Sequence, residues 1–226
     1  MTIRVILLLV ASYLLGSIPS AYVAGRLLKG IDLRQHGSGT VSGTGVYYHV
    51  AKWAAIAVGL FDIAKGAFPT WLGLKLDLGL PGTLAAGLAA VMGHNWPLYL
   101  NFKGGRGLSP FAGMLLVVFP WAPLILLATL AIGRLLRCTA LASLLVLIIL
   151  PLASWTAGEP LEVTWACLGM LLITMVKRLE ANRIPLPSGV ERKGVLIRRL
   201  LFDRDIRDGE AWVSRKPASN GLEGEE

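Results

Sequence analysis

Six long apolar runs, at 3–28, 51–74, 80–100, 108–133, 138–157 and 161–176, constrain this 226-residue chain more than any other feature. A helix needs about 20 apolar residues to cross the roughly 30 Å hydrocarbon core of a bilayer. Runs of that length, apolar on every side, leave a soluble fold no polar face to present to water. The expectation is an all-α, polytopic membrane protein. Composition agrees, with 54% of residues hydrophobic, 16% charged and a mean hydropathy of +0.63. The first run has a lone Arg4 as its positive flank and no small-x-small cleavage pattern, so it reads as a span and not as a signal peptide.

The formal net charge of +8 lies almost wholly outside the runs. Basic loops at helix ends suit phosphate or anionic lipid head groups. Nucleic acid is not expected as a partner, because no basic motif with interleaved aromatics occurs. Cys138 and Cys167 both fall inside apolar runs without CxxC or CxxH spacing. They read as buried apolar thiols, and no metal site is expected.

Lys and Arg of short loops stay in the cytoplasm. Arg26, Lys29, Arg34 and Lys52 place the first loop inside and the N-terminus outside; Lys75 and Asp77 make the next loop neutral; Lys103 and Arg106 fall inside again. With six simple spans, the acidic Glu159–Glu162 loop would face the cytoplasm and the basic tail from Lys177 onward would be exported. Both conflicts vanish if 108–133 crosses twice, turning at Phe119-Pro120-Trp121-Ala122-Pro123, where proline ends helices. Seven spans, some short, are therefore expected, with the C-terminus inside. A single span bent at the prolines, giving six, is the alternative. The domain reading is a membrane domain at 1–178, a basic cytoplasmic tail with a short amphipathic helix at 179–214, and a disordered end at 215–226. In that helix Val195, Leu196, Arg199 and Leu200 recur at helical spacing, as suits a segment lying on the membrane.

Two loops carry residues suited to anions. In His36-Gly37-Ser38-Gly39-Thr40-Val41-Ser42-Gly43-Thr44-Gly45, hydroxyls alternate with glycines, which admit close backbone N–H approach. A flexible connector is the plainer reading of the same residues. In Gly93-His94-Asn95-Trp96-Pro97 and Asn101-Phe102-Lys103-Gly104-Gly105-Arg106-Gly107, two cations sit among glycines. The spacing is not that of the nucleotide P-loop, so ATP or GTP binding is unsupported. Trp96, Tyr99 and Lys103 also suit interfacial anchoring. Within the second run, Asp62 and Lys65 stand three apart and can pair on one helix face. Gly16-Ser17-Ile18-Pro19-Ser20 interrupts the first run with small residues that permit a kink.

In this order and spacing, Gly16-Ser17-Ile18-Pro19, His36-Gly37-Ser38-Gly39, Asp62-x-x-Lys65-Gly66 and Gly93-His94 through Gly107 together resemble the acyl-phosphate:glycerol-3-phosphate acyltransferase family. The resemblance implies a seven-helix fold in the bacterial cell membrane. It also implies transfer of a fatty acyl group from acyl phosphate to the sn-1 hydroxyl of glycerol 3-phosphate, without acyl-CoA, metal or cofactor. Carried onto this sequence, Ser38 with Gly37, Gly39 and Thr40 binds acyl phosphate or stabilises the oxyanion. Lys103, Gly104, Gly105, Arg106 and Gly107 are expected to hold phosphates, and Ser38 and His94 are the catalytic candidates, His94 by orienting the second loop more than by removing a proton. The chain departs from the family at Thr40, Gly45 and Tyr48, where the family has Asn, Asn and Arg. Lys193 and Leu196 stand where a tail His and Asn are aligned, and Arg106 replaces Lys. A non-catalytic or altered-substrate relative that binds lipid is the alternative function; a small-solute transporter draws on Asp62 and Lys65 alone.

Overall fold

The fourth apolar run does divide at its prolines: α6 (Leu108–Val118) ends where Phe119 N–H closes on the Leu115 carbonyl at 2.7 Å, and α7 (Ala122–Leu135) begins at once. The computed structural model describes residues 3–36, 39–186, 189, 191–208 and 211–212. The other runs become α1 (Ile3–Gly16) and α2 (Ser20–Lys29), α4 (Lys52–Lys75), α5 (Gly79–Asn95), α8 (Thr139–Thr156) and α9 (Leu161–Glu180). Between α2 and α4 lies a short α3 (Gly43–His49), and α10 (Glu191–Phe202) follows α9. No strand occurs among the described residues.

The stretches Ile3–Lys29, Lys52–Lys75 and Thr139–Thr156 are long and apolar enough to cross a membrane. An 11-residue α6 spans only about 16 Å at 1.5 Å per residue. Its residues Pro110 through Leu115 are all buried, so protein and not lipid covers the body of this short helix.

Helices α1, α4, α5 and α6 approach one another through glycines. A Cβ at Gly66 would overlap the Pro110 carbonyl, and one at Gly113 the Ile63 carbonyl, so α4 and α6 meet backbone to backbone at both points. Gly16 against Ala90 and Gly93 against Tyr13 do the same for α1 and α5. Lipid tails are as apolar as leucine, so such close packing, and not hydrophobicity, drives association in a bilayer. Helices α7, α8 and α9 interlock mainly by large side chains, with Leu126, Val146, Leu147, Leu150, Val163 and Met170 almost fully buried, and with one close glycine contact, Gly133 of α7 against the Ala142 side chain of α8.

Part of the tail is helical, as α10, but the face read as lying on the membrane is in part turned onto protein, Val195 being 6% and Arg199 2% exposed; the end read as disordered, 215–226, lies outside the described residues. Arg199 donates to the carbonyls of Leu179 and Ile184 at 3.2 and 3.0 Å and pairs with Asp205 at 2.6 Å. These bonds hold α10 against the end of α9.

Candidate active site

Pro97 cannot donate a backbone hydrogen bond and restrains Trp96, so α5 stops at Asn95. The chain then reverses through Asn101 and Phe102, both at positive φ, and brings Lys103-Gly104-Gly105 back across the helix end. Gly105 N–H donates to the His94 carbonyl at 3.1 Å. A Cβ on Gly105 would overlap the His94 imidazole, and one on Gly104 the His94 carbonyl. Close packing requires these two glycines. Gly107 is required for its conformation too, with φ +73 beside the fully buried Asn95 side chain.

Beneath this turn lies a buried charged cluster. Pro19 breaks the first span between α1 and α2, leaving carbonyls without helical partners. Lys65 Nζ donates to one of them, that of Ile18, and to Asp62 Oδ1 at 2.7 Å. Ser20 Oγ donates to the same carboxylate oxygen at 2.6 Å. His94 Nδ1 lies 3.7 Å from Asp62 Oδ1, too long for a hydrogen bond but close enough for attraction. The break in the first span therefore supplies the acceptors and donors that satisfy a charge pair on α4. A small cleft opens here, lined by Ser17, Pro19, Val41, His94, Pro97 and Gly104.

The loops meet above the cluster. Val41 N–H donates to the Gly104 carbonyl at 3.4 Å, and Asn182 Nδ2 donates to both the Gly39 and Gly104 carbonyls at 3.2 Å. Asn182, at φ +54 just beyond α9, thus ties the first loop, the second loop and the tail together. Lys177, fully buried, donates to the Phe102 carbonyl at 3.3 Å and to Glu180 at 3.1 Å, and Glu180 accepts from Trp96 Nε1 at 2.7 Å. Trp96 is therefore built into the site.

Of the residues singled out from sequence, Gly37 and Ser38 lie outside the described residues. Gly39, Thr40, His94, Gly104, Gly105 and Gly107 surround or support the meeting point, and Thr40 and both central glycines are buried. Lys103 is exposed, and among the described residues its side chain makes no hydrogen bond or ion pair. Arg106 is engaged: it pairs with Asp203 at 2.7 Å and donates to the Lys177 carbonyl at 3.1 Å. The first loop is less open than its glycines suggest, since Ser42 caps α3 by accepting from Gly45 N–H and the helix starts at Gly43. Tyr48, at the family's arginine position, has its hydroxyl bonded by Arg134 of α7. Before α3, the Arg34 guanidinium bonded to Asp32 holds that carboxyl below its usual range.

Asn182 and Glu180 were not singled out by sequence, Lys177 was read only as the start of the basic tail, and Ser20 only as part of the kink in the first run. The tail reading sought an asparagine at Leu196, on α10; the asparagine that reaches the loops is Asn182. Its signal was its place directly after the basic last turn of a span, next to a reversal.

The family model for glycerol-3-phosphate acyltransferase matches residues 6–185, which contain every element of this site except Asp203. The chain belongs to the glycerol-3-phosphate acyltransferase family. Glycerol-3-phosphate acyltransferase 4 of Dehalococcoides mccartyi (strain CBDB1) is 35% identical over 221 residues, covering 95% of each chain. The glycerol-3-phosphate acyltransferase of Synechococcus sp. (strain CC9902) is 42% identical over 159 residues, 70% of this chain and 80% of that one. Among solved structures, PlsY (YgiH), an integral membrane glycerol 3-phosphate acyltransferase, superposes in its glycerol 3-phosphate form with a TM-score of 0.74 at 31% identity. That match covers 91% of this chain and 96% of the other. Its lysophosphatidic acid form gives 0.72 at 30% identity. The glycerol-3-phosphate acyltransferase family fold is thus shared across the bundle, and this chain is a multi-pass membrane protein.

Proposed function

We propose that this protein transfers a fatty acyl group from acyl phosphate to the sn-1 hydroxyl of glycerol 3-phosphate, giving lysophosphatidate and inorganic phosphate. The observation that carries the reading is the convergence of two glycine loops on the Gly104 carbonyl, tied by Asn182, beside the exposed Lys103. Family membership supports the reaction class. The hydroxyl oxygen attacks the acyl carbon, the bond from that carbon to the phosphate oxygen breaks, and phosphate leaves. The donor is an activated mixed anhydride, so positioning supplies much of the rate, and a substrate phosphate oxygen can take the hydroxyl proton.

In this reading Lys103 meets substrate phosphate, and Ser38 with the Gly37 and Gly39 amides faces the acyl phosphate. Arg106, held by Asp203, fixes the second loop to the tail and lends its charge from there. His94 orients the loop through its carbonyl and ring. The charge pattern of the loops supports seven crossings with the N-terminus outside and the site and C-terminus in the cytoplasm. A cytoplasm-specific reporter fused to the C-terminus is expected to be active; silence refutes that orientation.

The direct test is purified protein with acyl phosphate and glycerol 3-phosphate, followed for lysophosphatidate and phosphate. Product is expected, abolished by Lys103→Ala and by Ser38→Ala. Well-folded protein yielding no product, where a relative works, would leave a lipid-binding relative without catalysis.

A further inference from the structure

With Val195 and Arg199 committed to protein, the outward face of α10 is a different set of residues from the one its periodicity first suggests. Ile197 is 57% exposed, Leu201 37%, Phe202 36%, and Ile206 just beyond the helix 41%. Beside them, Ile197, Phe202, Arg198, Arg204, Arg207 and Gly194 line an open groove that contains no acidic side chain among the described residues. Arg198 is braced by donating Nε to the Asp205 carbonyl at 2.7 Å, and Arg204 lies over the Phe202 ring at 5.2 Å. Arg204 Nε is buried and has no hydrogen-bond partner among the described residues.

The level of this face relative to the bilayer follows from Arg178. One of its nitrogens donates to the Leu200 carbonyl of α10 at 2.6 Å, and the other to the Ala140 carbonyl and Ser143 hydroxyl of α8 at 2.7 and 2.6 Å. The last turn of α10 is therefore pinned beside the first turns of α8. There Leu141 and Leu145 face outward, 37% and 53% exposed, as lipid-facing residues do. A surface with apolar side chains at one edge and arginines at the other, at the mouth of a spanning helix, fits the boundary between acyl chains and head groups.

We propose that this face of α10 docks onto the anionic head-group layer of the adjoining leaflet, with Ile197, Leu201 and Phe202 in the apolar boundary and Arg198, Arg204 and Arg207 on lipid phosphates. The proposal does not depend on acyl transfer, and its readout is depth, not activity.

The test uses full-length protein carrying Ile197→Cys in a Cys138→Ala, Cys167→Ala background, spin-labelled and reconstituted into vesicles. One set is phosphatidylcholine alone; the other contains equal parts phosphatidylglycerol. Collision of the label with oxygen and with a water-soluble nickel chelate reports its depth. The label is expected to be oxygen-rich and nickel-poor with phosphatidylglycerol, and to move toward water in phosphatidylcholine alone, at high salt, and in Arg198→Gln/Arg204→Gln/Arg207→Gln. Each arginine removed should shift the docked population by about fivefold, the factor for one basic residue at an anionic surface. Free inorganic phosphate at moderate concentration should not displace the label. A label open to nickel in both vesicles would overturn the proposal, as would immersion indifferent to phosphatidylglycerol or displacement by free phosphate. The lipid-composition arm needs no arginine substitution, so a misfolded triple variant does not blunt it.

Discussion

The two halves of the bundle are held by different means. In the half formed by α1, α4, α5 and α6, glycines at 16, 66, 93 and 113 put backbones in contact, and the interior carries Asp62 and Lys65. In the half formed by α7, α8 and α9, branched and long apolar side chains fill the interior, with a Ser154–Thr164 hydroxyl pair at 2.8 Å as a polar link. Backbone contact is intolerant of any added atom but fixes helix positions closely. Side-chain packing relaxes more readily. The two glycine loops and the Asp62–Lys65 pair belong to the half that relaxes least, as expected where loops must be held to a fraction of an ångström, while the end of α9 contributes Lys177, Glu180 and the Asn182 that follows it.

The largest effect should come from Gly66→Val, whose side chain collides with the Pro110 backbone. Loss of monodisperse protein in detergent is expected. Leu147→Ala, in the other half, should leave folded protein with a lowered Tm, a cavity of this kind costing about 2–5 kcal/mol. Equal stability of the two variants would break the comparison.

Next is Lys65→Met, which leaves the Asp62 carboxylate buried without its ammonium partner at a cost of about 3–5 kcal/mol. Adding Asp62→Asn should restore part of the Tm, because the stranded charge goes with it. A double variant less stable than the single one would show that the pair is not coupled as its 2.7 Å separation implies.

Asn182→Ala removes about 1–3 kcal/mol of loop hydrogen bonding, so Tm should fall by roughly several degrees, less than for the changes above. The kcat/KM for glycerol 3-phosphate should then fall by roughly tenfold or more. Unaltered kinetics would mean that the loops hold their positions without it.

The smallest effect concerns Asp32, outside the spans. Its carboxyl is held below its ordinary value of 3.8 by the Arg34 guanidinium, with the Arg34 backbone N–H and Arg26 acting in the same sense. A depressed acid stabilises the fold at pH above its unfolded value, and that contribution disappears as pH falls through the folded value. The Tm difference between wild type and Asp32→Asn should thus be constant at neutral pH and shrink below about pH 4. A difference that grows on acidification would reverse the assignment.

Much of this was legible in the chain. Long apolar runs fixed the helical membrane class, charge parity with Pro120 and Pro123 located the extra turn, and two loops announced themselves by glycine and cation spacing. The tail was read less well. Ile197-Arg198-Arg199-Leu200 does form part of a helix, but it anchors α10, while the polar residue at the site is Asn182. A lone asparagine beside a helix end carries no periodicity to mark it.

Local chemistry is what one strand of sequence can state: hydropathy, proline, glycine and charge act on neighbours along the chain and on the solvent around it. Which glycine faces which carbonyl, that Arg106 is claimed by Asp203, and that Gly104 accepts from both Val41 and Asn182 depend on pairs distant in the chain. Those pairings exist only once helices have packed, because a hydrogen bond needs its partner within about 3 Å, and only the folded bundle sets that distance.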